Sequence, residues 1–166
     1  MIKRFWIVWV TLAVIITGDQ VTKHIIDTNL TLHESRTVIP GLFSITYIRN
    51  PGAAFGFLAD ASPPFRSLFF LAVTMGAVGL IVYYLKTQPI DDSLMTLSLS
   101  LILAGALGNL VDRVRFGEVI DFLDFYIGSA HWPAFNVADS SISVGAFLLF
   151  LSLVRGKGKT AVSHDG

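Results

Sequence analysis

Residues 67–85 read Ser67-Leu-Phe-Phe-Leu-Ala-Val-Thr-Met-Gly-Ala-Val-Gly-Leu-Ile-Val-Tyr-Tyr-Leu85, an uncharged run between Arg66 and Lys86. Its length approaches the roughly 20 apolar residues that a helix needs to cross a bilayer. Tyr83 and Tyr84 lie at its end, where aromatic rings commonly mark the membrane interface. The run therefore predicts a transmembrane helix and argues against a soluble fold.

The rest of the chain has the composition of a membrane protein. Its 166 residues are 53% hydrophobic and 14% charged, and the mean hydropathy is +0.66. We predict an all-α membrane protein with four transmembrane helices in one domain, residues 1–155. The expected spans are approximately 5–26, 67–85, 93–113 and 137–154. The fourth reaches bilayer length only if it begins near Asp139 or earlier.

The N-terminus, Met1-Ile-Lys-Arg4 followed by an apolar run to Gly18, also has the pattern of a signal peptide. No small-residue cleavage site follows, and the helical pattern continues through Asp19 and Lys23. These two side chains lie one helical turn apart and can pair. We therefore expect a first membrane span here and not a cleaved leader.

The segment of approximately 28–65 is the largest piece outside the spans. Residues 38–48 mix β-branched and aromatic side chains with the turn formers Pro40 and Gly41, and a tight turn is expected at 50–52. We predict a small strand-rich extracytoplasmic platform.

Basic residues bear on the orientation of the spans. An even number of spans places both termini on one side of the membrane, and the density of Lys and Arg in the short tails favours the cytoplasmic side. The count itself is a tie between the two sides. Residues 156–166 are expected to form a flexible cytoplasmic tail.

Asp121 and Asp139 are two carboxylates embedded in apolar sequence beside predicted spans. An ionisable group at membrane depth is costly and marks a functional site by default. Two carboxylates brought together can share a proton, so that one acts as acid and the other as base. Along one continuous helix the two would lie roughly 27 Å apart, so a dyad requires that the chain double back within 116–133. Otherwise Asp121 is a solvated loop carboxylate and Asp139 caps a helix.

Other classes of site are less well supported. The chain has no cysteine and a formal net charge of zero, so neither thiol chemistry nor a nucleic-acid surface is indicated. Its four histidines lack ligand spacing, and we expect no metal and no cofactor. A Ser/Lys mechanism is a weak alternative, because Lys23 is remote in sequence from the serines near Asp139. A proton or cation transporter that uses the buried carboxylates as a relay, and an assembly subunit, also remain open.

Five blocks of sequence carry a family resemblance. Gly105-Ala-Leu-Gly-Asn-Leu-Val-Asp-Arg113, Val119-Ile-Asp-Phe122 and Phe135-Asn-Val-Ala-Asp-Ser140 resemble the signature blocks of signal peptidase II, the lipoprotein signal peptidase. Asp19-Gln-Val-Thr-Lys23 and Asn50-Pro-Gly-Ala-Ala-Phe-Gly56 resemble its two N-terminal blocks. The five occur in family order and cover most of the chain.

The resemblance implies an intramembrane aspartyl endopeptidase of the bacterial inner membrane, with its active site near the extracytoplasmic face. Such an enzyme cleaves the signal peptide from a diacylglyceryl-modified prolipoprotein just before the lipid-bearing cysteine. It needs no cofactor or metal. The implied partners are that substrate and membrane lipid, and we expect the chain to function as a monomer.

The resemblance also implies the site residues. The catalytic aspartates fall on Asp121 and Asp139. The positions that bind substrate or support the dyad are Asp19, Lys23, Asn50, Gly52, Asn109, Asp112, Arg113 and Asn136. Asp124 requires a check, because it would lie one turn beyond Asp121 if that stretch is helical.

Overall fold

Four long helices and one small sheet make up the fold. The structure is a computed structural model that describes residues 2–52, 58, 61–87 and 92–161. In chain order its elements are α1 (Ile2–Asn29), β1 (Ser35–Ile39), β2 (Phe43–Asn50), α2 (Pro63–Thr87), α3 (Ser93–Phe116), β3 (Val119–Ile127), β4 (Ala130–His131) and α4 (Val137–Ala161). Within those ranges, four helices are long and apolar enough to cross a membrane. The predicted fold class, four spans with a small strand-rich platform, is confirmed.

The helices extend somewhat beyond the predicted spans. The largest difference concerns α4, whose backbone stays helical through Ala161, although residues 156–166 are predicted to be a flexible tail. The apolar part of this helix that suits a membrane ends at Arg155. Residues 162–166 lie outside the described residues, and the flexible tail stays a prediction.

Both ends of α3 are capped by its own sequence. At its start, Asp92 Oδ1 accepts a hydrogen bond of 2.8 Å from the Leu94 N–H, which satisfies one of the free backbone donors of the first turn. At its end, Gly117 adopts a left-handed φ of 76°, and its N–H donates to the Arg113 carbonyl. Such a glycine stops a helix without the cost that a Cβ would add. The chain therefore leaves α3 at Gly117 and reverses into β3.

The sheet is antiparallel throughout, in the order β1-β2-β3-β4. The platform is larger than predicted, because β3 and β4 follow α3 and lie outside the predicted segment 28–65. The pattern of β3 concealed it: Asp121 and Asp124 are three positions apart, so polar residues do not alternate regularly along the strand. A turn at Gly128, with φ of 61°, leads into the two residues of β4.

A small apolar core joins the sheet to the end of α1. Ile26 of α1 packs with Tyr47 of β2 and with Ile120 and Phe122 of β3, and all four are buried. Strand β3 starts only a few residues after α3. This core therefore holds the strand against two helices at one end of the bundle.

Helix α3 is the centre of the bundle and packs against the other three helices. Its contact with α4 is close because both helices carry glycine. A Cβ on Gly105 would collide with the Ala138 carbonyl, and one on Gly145 would come within 2.8 Å of the Ser98 carbonyl. These small residues pack helices within one chain.

Helix α2 is the least integrated of the four. None of its residues is buried, and a Cβ added at Gly76 or Gly79 would meet nothing within 4 Å. It packs against α3. Most of its surface is therefore available to lipid.

Candidate active site

Asp121 lies on β3, opposite Ile48 of β2, and only 2% of it is exposed. Asn50 Nδ2 donates to its Oδ2 over 2.9 Å. Asn136 Nδ2 donates to its Oδ1 over 2.7 Å. The carboxyl group is thus buried but hydrogen-bonded at both oxygens, as buried polar groups must be. A solvated loop position for Asp121 is wrong.

Asp139 lies in the first turn of α4, and Asn136 is the residue that caps this helix. Asn136 Oδ1 accepts from the Asp139 N–H at 2.8 Å, and Asp139 Oδ2 accepts from the Asn136 N–H at 3.3 Å. This reciprocal pair is the geometry of a capping box. Asp139 is therefore fixed three residues inside the cap, with its carboxylate at the positive end of the helix dipole.

Asn109 and Asn136 connect the two carboxylates. Asn109 Nδ2 donates to Asp139 Oδ1 over 2.7 Å, and its Oδ1 lies 3.2 Å from Asn136 Nδ2. Since Asn136 also contacts Asp121, one asparagine touches both aspartates. The chain reversal after α3 thus brings residues 121 and 139 into a single hydrogen-bond network.

A buried ion cluster of Lys23, Asp19 and Asp112 contacts this network through Asn109. Lys23 Nζ lies 2.8 Å from Asp19 Oδ2 and 2.8 Å from Asp112 Oδ2, and it donates to Asn109 Oδ1 over 2.9 Å. Lys23 is 2% exposed, Asp19 0% and Asp112 1%. Buried charges are tolerated when they are paired and hydrogen-bonded, and here the three acceptors take the three N–H donors of the ammonium.

The same cluster fixes the backbone beside each candidate catalytic residue. Asp112 Oδ2 accepts from the Ile120 N–H at 3.2 Å, one residue before Asp121. Asp19 Oδ1 accepts from the Ala138 N–H at 2.9 Å, one residue before Asp139. The carboxylates of the cluster therefore set the positions of β3 and α4 relative to each other.

Asn50, Gly52 and Arg113 form one edge of the site. Asn50 Oδ1 accepts from the Gly52 N–H at 3.0 Å, a side-chain turn typical of asparagine. The Gly52 carbonyl lies 3.5 Å from Arg113 Nη2. The guanidinium also lies 5.5 Å from the centroid of the Phe70 ring, which ties this edge to α2.

Both aspartates line one cavity of about 770 Å³. Its polar end is formed by Asn50, Asn109, Arg113, Asp121 and Asp139. Apolar side chains from three helices form much of the remaining wall, among them Phe70, Val73, Ala77, Ile102, Ala106, Ile142 and Val144. A cavity with few converging polar groups and apolar walls is typical of a ligand site.

Burial has a large electrostatic effect on Asp121. It raises the pKa of this carboxyl from 3.8 to about 7, and the nearby charge of Asp139 adds to the rise. The hydrogen bonds from Asn50 and Asn136, and the charge of Lys23, act in the opposite direction. A carboxyl group with this pKa can hold a proton near neutral pH, as a general acid must.

Comparison with known proteins decides the family. The family described as "Signal peptidase (SPase) II" matches residues 11–155. The chain belongs to the signal peptidase II family. Two similar relatives are the lipoprotein signal peptidases of Syntrophus aciditrophicus (strain SB), 56% identical over 146 residues, and of Geobacter metallireducens, 54% identical over 143 residues. The first alignment covers 88% of this chain and 91% of the relative, and the second covers 86% and 87%.

Solved structures agree with this assignment. One described as "Bacterial membrane enzyme structure by the in meso method at 2.3 A resolution" has a TM-score of 0.82 and 37% identity, and covers 92% of this chain and 90% of that chain. Another of the same description at 1.9 A has a TM-score of 0.77 and 38% identity, and covers 88% and 91%. The chain is therefore a multi-pass membrane protease of the signal peptidase II type.

The structure brings together all ten residues that the resemblance to signal peptidase II implies. Asp124 is different, because residues 119–127 form a strand and not a helix. An odd separation along a strand places Asp124 and Asp121 on opposite faces, and Asp124 instead lies 2.9 Å from His131 Nδ1. Of the block Asn50–Gly56, residues 53–56 lie outside the described residues.

Sequence reasoning missed some participants in this signal peptidase II site. Gln20 Nε2 donates to Asp112 Oδ1 over 3.0 Å and lies 3.2 Å from Asp19 Oδ2, so it belongs to the ion cluster. Its place between Asp19 and Lys23 in the first block was the available signal. The α2 residues of the cavity wall had none, because nothing in an apolar run distinguishes a cavity from lipid.

Two rival chemistries find little support in this signal peptidase II chain. The Lys23 ammonium contacts Asp19, Asp112 and Asn109, while the Ser140 and Ser141 hydroxyls donate to backbone carbonyls. The hydrogen-bond partners of Lys23 and of the two serines are therefore different groups, and these residues do not form a Ser/Lys pair. The four carboxylates of a relay, Asp19, Asp112, Asp121 and Asp139, belong to one connected network of side chains and are not spaced along the bundle as a transmembrane relay would be.

Proposed function

We propose that the chain is an aspartyl endopeptidase that removes the signal peptide from diacylglyceryl-modified prolipoproteins, just before the lipid-bearing cysteine. Cleavage of lipoprotein signal peptides follows from the family. The finer proposal concerns the chemistry: Asp121 and Asp139 activate one water molecule. The observation that carries it is that Asn136 hydrogen-bonds to both residues at the wall of one cavity.

The two carboxyl groups have different environments, which suits an acid and a base. Asp121 is almost fully buried, and its raised pKa favours the protonated form near pH 7. Asp139 lies in the first turn of α4, where the helix dipole favours a carboxylate. We therefore assign the resting proton of the pair to Asp121.

Hydrolysis then proceeds without a covalent enzyme intermediate. Asp139 takes a proton from the water while the oxygen of that water bonds to the scissile carbonyl carbon. Asp121 donates its proton to the carbonyl oxygen. The tetrahedral intermediate collapses when the C–N bond breaks and the proton on Asp139 moves to the leaving nitrogen. The hydroxyl proton of the intermediate returns to Asp121, which restores the starting state.

The cavity wall supports the proposed lipidated substrate. Val73, Ala77 and Val144 are aliphatic side chains that line it, and acyl chains or apolar signal-peptide residues are suitable occupants for such a surface. Asn50 and Arg113 at the polar end are then close enough to the dyad to bind the substrate backbone. No metal or cofactor enters the proposed reaction.

Membrane topology forms part of the proposal. The sheet lies at the end of the bundle where α1 ends and α4 begins, so the start of α1 and the end of α4 lie at the other end. We propose that the termini face the cytoplasm, that the dyad lies near the extracytoplasmic face of the bacterial inner membrane, and that one copy suffices for activity. The chain has no cysteine, so single cysteines at Arg36 and Arg155 report the side directly. Labelling of Arg36→Cys by an impermeant maleimide in intact spheroplasts, with Arg155→Cys labelled only after lysis, is expected; the reverse pattern overturns the orientation.

Cleavage of a lipidated prolipoprotein by the reconstituted enzyme tests the dyad. Asp121→Asn and Asp139→Asn should each lower kcat by roughly 10²–10⁴-fold, the range typical of a lost general acid or base. Asp124→Asn is the matched control, because this third carboxylate lies on the same strand as Asp121 but pairs with His131. Near wild-type cleavage by either dyad variant would exclude the mechanism.

A further inference from the structure

Three side chains outside the cavity tie the end of α1 to β2. The Tyr47 hydroxyl donates to Asp27 Oδ1 and accepts from Arg49 Nε at 2.7 Å. Arg49 Nη2 donates to the same Asp27 oxygen over 2.8 Å. The guanidinium also lies 4.4 Å from the centroid of the Phe116 ring, at the end of α3. We refer to Asp27, Tyr47 and Arg49 as the latch.

The latch lies at an irregularity of β2. Ile45 pairs with Leu123 and Ile48 pairs with Asp121. Strand β2 therefore has one residue more than β3 over this interval, which defines a β-bulge, and Tyr47 lies within it. Bulges bend a strand and redirect the side chains that follow.

The bulge decides which face of the sheet Asn50 occupies. With the bulge, Asn50 stands opposite Val119, two residues from Asp121, and side chains two residues apart share a face. Asn50 and Asp121 are therefore diagonal neighbours on one face of the sheet, and the Asn50 Nδ2 atom lies 2.9 Å from Asp121 Oδ2. Without the extra residue, Asn50 would stand opposite Glu118 and would face away from Asp121, because a shift of one residue inverts every side chain.

We propose that the latch positions Asn50 against Asp121 by holding the β2 bulge on the end of α1, so that Asp27, Tyr47 and Arg49 are positioning residues for the peptidase reaction. The inference rests on the proposed catalytic role of Asp121. Tyr47 is suited to the task because its ring is buried with Ile120 in the core while its hydroxyl reaches two charged partners. A buried tyrosine hydroxyl requires such partners.

Loss of the latch should raise the pKa of Asp121. The Asn50 hydrogen bond lowers the pKa of Asp121 against the effect of burial, so a displaced Asn50 leaves that pKa higher still. The charged groups that act on Asp121 include Asp139, Lys23 and Arg113. None of them belongs to the latch, and Tyr47→Phe changes none of them.

Tyr47→Phe is the sharpest test, because it keeps the ring in the core and removes only the hydroxyl. We expect kcat to fall by about 10- to 100-fold, the scale of a small misplacement at a catalytic site. KM should change by less than kcat, because the latch residues themselves do not line the cavity and Asn50 is the one lining residue that they position. The basic limb of the pH profile should move to higher pH. Glu34→Gln is the matched control: it breaks an exposed ion pair with Arg36 on the same sheet and should leave all three quantities unchanged.

A double-mutant cycle separates positioning from general stability. In an Asn50→Ala background the target of the latch is gone, so adding Tyr47→Phe should cost little further kcat. Additive losses, or wild-type kcat in Tyr47→Phe, would overturn the inference. If Tyr47→Phe does not fold, Asp27→Asn replaces it in the same cycle, since Asp27 is partly exposed. An active Asp121→Asn enzyme defeats the proposed function, whereas an inactive one with an additive cycle defeats only the latch.

Discussion

Lys23 Nζ donates to Asn109 Oδ1 over 2.9 Å, although the two residues are 86 positions apart. An ammonium can only donate, so the carbonyl of the Asn109 amide must face Lys23. The amide nitrogen is then turned toward Asp139, 2.7 Å away. One buried cation therefore determines the orientation of a hydrogen-bond donor to a proposed catalytic carboxylate.

Replacing Lys23 by Met should destabilise the enzyme by about 3–5 kcal/mol, because it leaves buried carboxylates without their counter-ion. Unfolding of the purified protein in detergent measures the loss. Arg36→Met is the control, since Arg36 forms an exposed pair with Glu34, and its unfolding midpoint should match that of the wild type. A Lys23→Met protein of normal stability would show that the ion cluster does not hold the bundle together.

The activity should depend on the proton of Asp121. With a pKa of about 7, this carboxyl group loses its proton as the pH rises through neutrality. Above that pH, kcat/KM should fall by up to about tenfold for each pH unit. The pH profile of prolipoprotein cleavage measures this limb, and Asp124→Asn should retain it. A value of kcat/KM that stays constant between about pH 6 and about pH 9 would contradict an acid role for Asp121.

The free energy of unfolding should depend on pH through Asp121, and it should fall as the pH rises. The folded pKa of Asp121 is raised above its ordinary value of 3.8, so the unfolded chain releases this proton first as the pH increases. Its contribution to stability is therefore complete below about pH 4 and is lost progressively up to about pH 7. Relative to Asp121→Asn, the wild type should lose roughly 2–3 kcal/mol of unfolding free energy between pH 5 and pH 8. Parallel curves for the two proteins would exclude the raised pKa.

Gly105→Ala should be damaging although it adds one methyl group. The new Cβ would collide with the Ala138 carbonyl, so α3 and α4 must separate at the residue next to Asp139, at a cost of about 1–3 kcal/mol. Gly79→Ala on α2 is the matched control, because its Cβ would meet nothing within 4 Å. Thermal unfolding and kcat should both decline only in the first variant. Equal behaviour of the two proteins would show that the close helix contact is not needed.

Filling the cavity from α2 should impair substrate use without affecting the fold. Ala77 lines the cavity, and Ala77→Trp should lower kcat/KM by about tenfold if it displaces two methylenes of the substrate, at about 0.8 kcal/mol each. Ala72→Trp, on the same helix but outside the lining, should leave kcat/KM unchanged. The assay is cleavage of the lipidated prolipoprotein at limiting concentration. Full activity of Ala77→Trp would mean that the substrate does not occupy this part of the cavity.

The sequence predicted the features that depend on local pattern. The uncharged run 67–85 indicates a membrane helix, and the pairing of Asp121 with Asp139 required that the chain double back within 116–133. Strand β3 was missed, because Asp121 and Asp124 break the alternation that identifies a strand. The bulge had no detectable local pattern either, since it is a relation between two strands.

The candidate site was predictable only in part, for a related reason. Family blocks gave the positions of its polar residues, but the contacts among them join segments far apart in the chain, as between Asp19 and Ala138. No sequence pattern singled out Asp27, Tyr47 and Arg49. Only the packing of α1 on the sheet brings them together.

The loose packing of α2 has a thermodynamic consequence. In water, moving this helix away from α3 would expose apolar surface at a cost proportional to area. In a bilayer the vacated contacts pass to acyl chains of equal polarity, so no hydrophobic force opposes the separation. Under the proposed function, a bulky lipidated substrate would thus enter sideways from the bilayer between α2 and α3, while lipid covers the surfaces that the two helices uncover.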